Sequence, residues 1–128
     1  MDTMDTKKIL SIEDDAFLSG LVSGKLAEHG FAVIAANLGA IGIKEAKAQK
    51  PALILLDLML PDMSGFDILK EVKEDSETKD IPVVILSNLG GSGDLEKALA
   101  LGAERYLVKS NVLPEEIAEI IEDILSKN

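Results

Sequence analysis

The chain has 128 residues, 47% of them hydrophobic, with a formal net charge of −10 and no cysteine. That length suits one domain around one core, its apolar content excludes wholesale disorder, and no stretch approaches the roughly 18 apolar residues that span a bilayer. The missing cysteines exclude disulfides and thiolate metal sites, and the acidity argues against direct contact with a nucleic-acid backbone, which needs clustered Lys and Arg.

Residues 1–6, MDTMDT, repeat a polar triplet without periodicity and are expected to be a disordered extension, leaving 7–128 as the folded domain. Lys8 to Ile12 reads as a first strand. Asp15 to His29 reads as a helix with Phe17, Leu18, Leu21, Val22 and Leu26 on its apolar face, with Asp15 as its cap or a solvated neighbour and Gly30 ending it. His29, the single histidine, is expected as a solvated side chain at that helix end. A second strand is expected over Phe31 to Ala36, followed by a weak helix over Ala40 to Lys50, diluted by Gly39 and Gly42 and ended by Pro51.

Ala52 to Leu56 is the most continuous apolar run and reads as a third, fully buried strand. A turn follows, and Ser64 with Asp67 resembles a capping box for a helix that buries Phe66, Leu69 and Val72. Ile81 to Leu86 reads as a fourth strand. A glycine-dense loop then opens a short helix, Asp94 to Leu101, before a fifth strand over Arg105 to Val108. Pro114 to Ser126 carries Ile117, Ile120, Ile121, Ile124 and Leu125 at helical spacing, with Glu115 and Glu116 at its positive dipole end. Five β-α alternations with short loops predict a parallel sheet covered on both faces.

Strand ends carry the chemistry. Glu13 and Asp14 follow the first strand, Asp57 the third, Ser87 the fourth and Lys109 the fifth. Ligands in open α/β sheets bind beyond such carboxyl ends. Two carboxylates 4 Å apart repel by about 4 kcal/mol at an effective dielectric of about 20, so three acids in one pocket call for a divalent cation. Oxygen ligands without His or Cys point to Mg²⁺, with Mn²⁺ as the substitute. The bland reading, in which Asp14 or Asp15 only caps a helix and Asp57 only begins a turn, leaves the shared strand-end position of these acids unexplained.

In combination these residues resemble the receiver domain of bacterial two-component response regulators. The resemblance rests on the acidic pair Glu13-Asp14, the D-x-x-x-P-x-x-x-G run from Asp57 through Pro61 to Gly65, the hydroxyl of Ser87, and Y-L-V-K from Tyr106 to Lys109. It implies an α/β, flavodoxin-like (βα)5 three-layer sandwich with strand order 2-1-3-4-5. It further implies that Asp57 accepts a phosphoryl group from the phosphohistidine of a histidine kinase or a histidine phosphotransfer protein. Mg²⁺ would be held by Glu13, Asp14, Asp57 and the Met59 backbone carbonyl, Lys109 would meet the phosphoryl oxygens, and Ser87 and Tyr106 would form the switch. Two positions that flank the attacking water in this family are Met59 and Leu89 here, both apolar, which predicts slow self-dephosphorylation. Ser110 stands where proline usually follows the lysine, leaving the cis or trans state of that peptide open.

No second domain is evident in the sequence. The expectation is therefore a stand-alone, cytoplasmic receiver, with no membrane insertion and no direct nucleic-acid contact. It would signal to a downstream protein through the face of the fourth helix, fifth strand and last helix, as a monomer or a phosphorylation-dependent dimer. A phosphorelay intermediate, passing the phosphoryl group onward to a histidine phosphotransfer protein, is the alternative.

Overall fold

The computed structural model describes residues 6–88 and 93–127. Of the expected extension, residues 1–5 lie outside this set, as do Leu89, Gly90 and Gly91; Thr6 is exposed. The elements run β1 (Lys8–Ile12), α1 (Ala16–Glu28), β2 (Ala32–Ala36), α2 (Gly39–Gln49), β3 (Leu53–Leu56), α3 (Gly65–Glu74), β4 (Val83–Ser87), α4 (Asp94–Ala100), β5 (Arg105–Val108), a 3-10 turn (Lys109–Asn111) and α5 (Pro114–Ser126). The sheet is parallel throughout, in the order β2-β1-β3-β4-β5.

Strand side chains alternate between two apolar layers, as the pleat requires. Leu10, Ile12, Ile54, Leu56 and Ile85 pack with Ala46 of α2, Ile68, Leu69 and Val72 of α3, and Ala98 of α4. Ile9, Leu53, Leu55, Val84 and Leu107 pack on the opposite face with Val22 and Leu26 of α1 and Ile117 and Ile121 of α5. Each Leu or Ile so buried contributes about 1.5–3 kcal/mol. Central β3 is buried at every position, whereas edge strand β2 is not.

Three expectations change. Phe17 and Leu21 were expected on the buried side of α1 but are 77% and 45% exposed. The buried stripe is Leu18, Val22 and Leu26, spaced by four, and Phe17 and Leu21 stand about 100° around the helix from it. Strand boundaries also move: β4 begins at Val83, since Pro82 has no amide to donate, although its carbonyl still accepts the Ile54 N–H at 3.0 Å. In α2 the glycines are contact points. A Cβ at Gly42 would run into the Ile12 side chain, and one at Gly39 into Met63.

The acidic cleft at the strand ends

Register delivers the acids to one place. Ile12 pairs with both Ala36 and Leu56, so the chain leaves β1 and β3 side by side. The ladder runs one step further, with Asp57 N–H donating to the Ile12 carbonyl at 3.0 Å and Glu13 N–H to that of Ala36 at 2.9 Å. Carboxylate oxygens of Glu13, Asp14 and Asp57 come within 4.8 Å of one another. Glu13 and Asp57 are buried, and Asp14 is exposed.

Lys109, arriving at the end of β5, sits between the two buried acids. Its Nζ is 2.9 Å from Glu13 Oε1 and 3.0 Å from Asp57 Oδ2. Burial works against the ammonium, but its bonds to Glu13 and Asp57 outweigh this and raise its pKa above the ordinary lysine value. Glu13 is also raised, chiefly by burial. The Lys109 ammonium and the Asp15 amide resist that push, and the Asp57 charge adds to it. The remaining oxygens are held by backbone: Asp57 Oδ1 accepts Met59 N–H at 3.1 Å, and Glu13 Oε2 accepts Asp15 N–H at 3.0 Å. Asp15 is the α1 cap, the first of its two expected roles, its Oδ1 accepting from Phe17 and Leu18.

The cleft is lined by Glu13, Asp14, Asp15, Asp57, Met59, Asn88 and Lys109. Asn88 was not anticipated; its position directly after Ser87 at the β4 end was the available signal. Gly65, the last residue of the D-x-x-x-P-x-x-x-G run, closes the loop, with its N–H on the Leu58 carbonyl at 2.8 Å. A side chain there would strike the backbone of Asp57 and Leu58. The donor set fits Mg²⁺ or Mn²⁺: oxygen atoms only, three carboxylates, and one exposed side of the cleft for waters or phosphate oxygens.

Ser87 is fully buried and shares a hydrogen bond with Tyr106, which is itself partly buried against the core. Burial raises the Tyr106 phenol, and the Ser87 contact opposes it. The described residues contain no cis peptide, so Lys109-Ser110 is trans and the chain turns through the 3-10 segment. His29 departs from expectation. It does end α1, but its ring is largely covered, with Nε2 2.9 Å from Glu115 and Nδ1 3.1 Å from Glu122 on α5.

Residues 9–122 match the family model described as the response regulator receiver domain. The DNA-binding dual master transcriptional regulator RpaA of Synechocystis is 39% identical over 113 residues, which are 88% of this chain and 47% of that protein. The chain spans about half the length of the curated relatives it matches. Among solved structures, the chemotaxis protein CheY4 of Vibrio cholerae superposes with a TM-score of 0.85 at 26% identity, covering 93% of this chain and 98% of that one. The Mn²⁺-bound form of response regulator Rcp1 gives 0.77 at 31% identity, covering 94% and 92%. No helix among the described residues is long and apolar enough to cross a membrane. With the sheet order, the acidic cleft and a family match over nearly its whole length, the chain belongs to the response regulator receiver domains of two-component signalling.

Proposed function

We propose that Asp57 is the phosphoacceptor of a Mg²⁺-dependent signalling domain whose donor is a phosphohistidine on a kinase or phosphotransfer protein. The observation that carries this is the meeting of Asp57 with Glu13, Asp14 and Lys109, delivered from three different strand ends. Glu13, Asp14, Asp57 and the Met59 carbonyl would hold the cation, which would neutralise the acids and draw charge from the phosphoryl oxygens; the Mn²⁺-bound Rcp1 supports such a role. One Asp57 oxygen attacks phosphorus in line as the bond to the donor nitrogen breaks, and the histidine keeps the electron pair. The Met59 amide on Oδ1 orients the nucleophile. Lys109, already on Oδ2, is placed to follow the incoming charge.

Met59, which lines the cleft, is 61% exposed, and Phe17 and Leu113, at the starts of the helices α1 and α5 on the same end of the sheet, are more so. Such exposed apolar surface suits a protein donor better than a small solute. For output, Ser87 turns from Tyr106 to the aspartyl phosphate, and the change is read on the face of α4, β5 and α5, where Leu95 and Leu99 are exposed. Neither Met59 nor Leu89 orients water, so the phosphorylated state is long-lived. A cytoplasmic setting, where phosphohistidine donors are made, goes with this reading, which holds with or without an attached output domain. Incubation with Mg²⁺ and acetyl phosphate followed by intact mass spectrometry should give a single phosphoryl adduct that Asp57→Asn abolishes. An adduct that survives Asp57→Asn, or none on the unmodified chain, defeats the proposal.

A further inference from the structure

Asp62 stands outside the acidic cleft, on the loop between β3 and α3 that carries Met59 to its edge. The segment between β3 and α3 is closed at its base by the Gly65 amide on the Leu58 carbonyl and by an antiparallel bridge between Met59 and Ser64. Its tip is tied to a different element. Asp62 Oδ1 accepts the Gly39 N–H at 2.8 Å, and Oδ2 accepts the Ala40 N–H at 3.0 Å. These are the first two amides of α2, whose N-cap residue, Leu38, offers no side-chain acceptor. The cap that Ser, Thr or Asp ordinarily supplies from within a helix comes here from across the fold.

Packing reinforces the tie. Gly39 lets the start of α2 lie directly on Met63, the neighbour of Asp62, where any Cβ would collide. The Ala40 and Gly39 amides also hold the Asp62 carboxyl below the usual aspartate range, so the anchoring form is the charged one. Met59 is therefore gripped from both directions: by the loop base through Ser64 and by the loop tip through Asp62.

We propose that Asp62 is a positioning residue, which by fixing the loop tip on α2 holds the Met59 backbone in the geometry that a divalent cation requires. This rests on the reading of Asp57 as a Mg²⁺-dependent phosphoacceptor. A backbone ligand on an untethered loop must be ordered by the cation itself, and that ordering weakens the apparent affinity. The consequence is a linkage between the start of α2 and the cleft.

The test uses the full chain with Asp62→Ala and Asp62→Asn, titrated with Mg²⁺ by calorimetry and followed by thermal unfolding with and without Mg²⁺. Asp62→Ala should raise the Mg²⁺ dissociation constant about fivefold, the factor equivalent to a helix cap of ordinary strength. It should also shrink the Mg²⁺-induced rise in Tm. Asp62→Asn keeps an acceptor oxygen and should fall between the two, and it decides the matter if the alanine variant does not fold. A variant less stable by the same margin with and without Mg²⁺, at unchanged affinity, marks a purely structural cap and overturns the inference. If that occurs while the unmodified chain binds Mg²⁺ and accepts phosphate at Asp57, the inference alone fails. If the unmodified chain takes up neither, the underlying reading fails with it.

Discussion

At the amino ends of the strands, polar groups close on near neighbours. Thr78 Oγ1 donates to the Val72 carbonyl at 2.7 Å, and Lys73 Nζ donates to the carbonyls of Ile81 at 2.7 Å and Lys79 at 3.1 Å. His29 lies between Glu115 and Glu122. At the carboxyl ends three carboxylates cluster around a single ammonium that pairs with two of them, Glu13 and Asp57, leaving two negative charges in excess when all three acids are ionised. Exposed apolar residues also gather there: Phe17 and Ile41 in first helical turns, Leu113 at the α5 cap, and Met59 in a loop. One end of the sheet is locally satisfied and serves the fold. The other is assembled with charge unmatched and apolar surface uncovered, and it is on this imbalance that the proposed cation and phosphoryl site rests.

The largest effect is expected at Lys109. Lys109→Ala should slow phosphorylation by acetyl phosphate by about 10²-fold, the cost of losing one well-placed charge donor. Because the ammonium competes for Glu13 and Asp57, the same variant should bind Mg²⁺ more tightly. Kinetics by intact mass and Mg²⁺ calorimetry check the two halves, and a slower reaction with weaker Mg²⁺ binding would mean that Lys109 supports the cation site.

A smaller change is expected from Met59→Asn with Leu89→Glu. Polar groups at these positions should speed loss of phosphate from the labelled chain, followed by the decay of the adduct. An unchanged decay would show that water is oriented elsewhere.

The smallest effect belongs to the satisfied end. The Glu115 and Glu122 contacts, in that order, raise the His29 pKa above 6.5. A raised folded-state pKa means stability present below 6.5 that is lost as pH climbs through the folded value. Lys25 on α1 pairs with Glu28 and Glu115, and Lys7 lines the same hollow, which tempers the gain. The Tm difference between wild type and His29→Gln should therefore narrow on going from pH 6 to pH 8.5. A difference that stays constant would remove the ionic part of this clasp.

Local pattern was enough wherever one element decides the outcome. The five isoleucines and leucines of α5 mark a single stripe, and β1, β5 and α5 fall where spacing puts them. Asp57, Glu13, Asp14 and Lys109 were legible because each lies within two residues of the end of an apolar strand. Other features depend on which surfaces face one another. Phe17 and Leu21 are as apolar as Leu18 and Val22, but only the packing of α1 on the sheet and α5 decides which stripe is covered. His29 meets two glutamates more than eighty positions away, and Asp62 caps a helix that precedes it in the chain.

Periodicity and strand-end residues are local properties, so the order and type of the main elements, the family and the acids that line the cleft could be read along the chain. That Lys109 bridges two acids, that Ser87 is hydrogen-bonded to Tyr106, and that Asp62 ties the loop carrying Met59 to α2 emerged with folding alone. Hydrogen bonds close at about 3 Å, and only the folded chain brings residues so distant in sequence within that range.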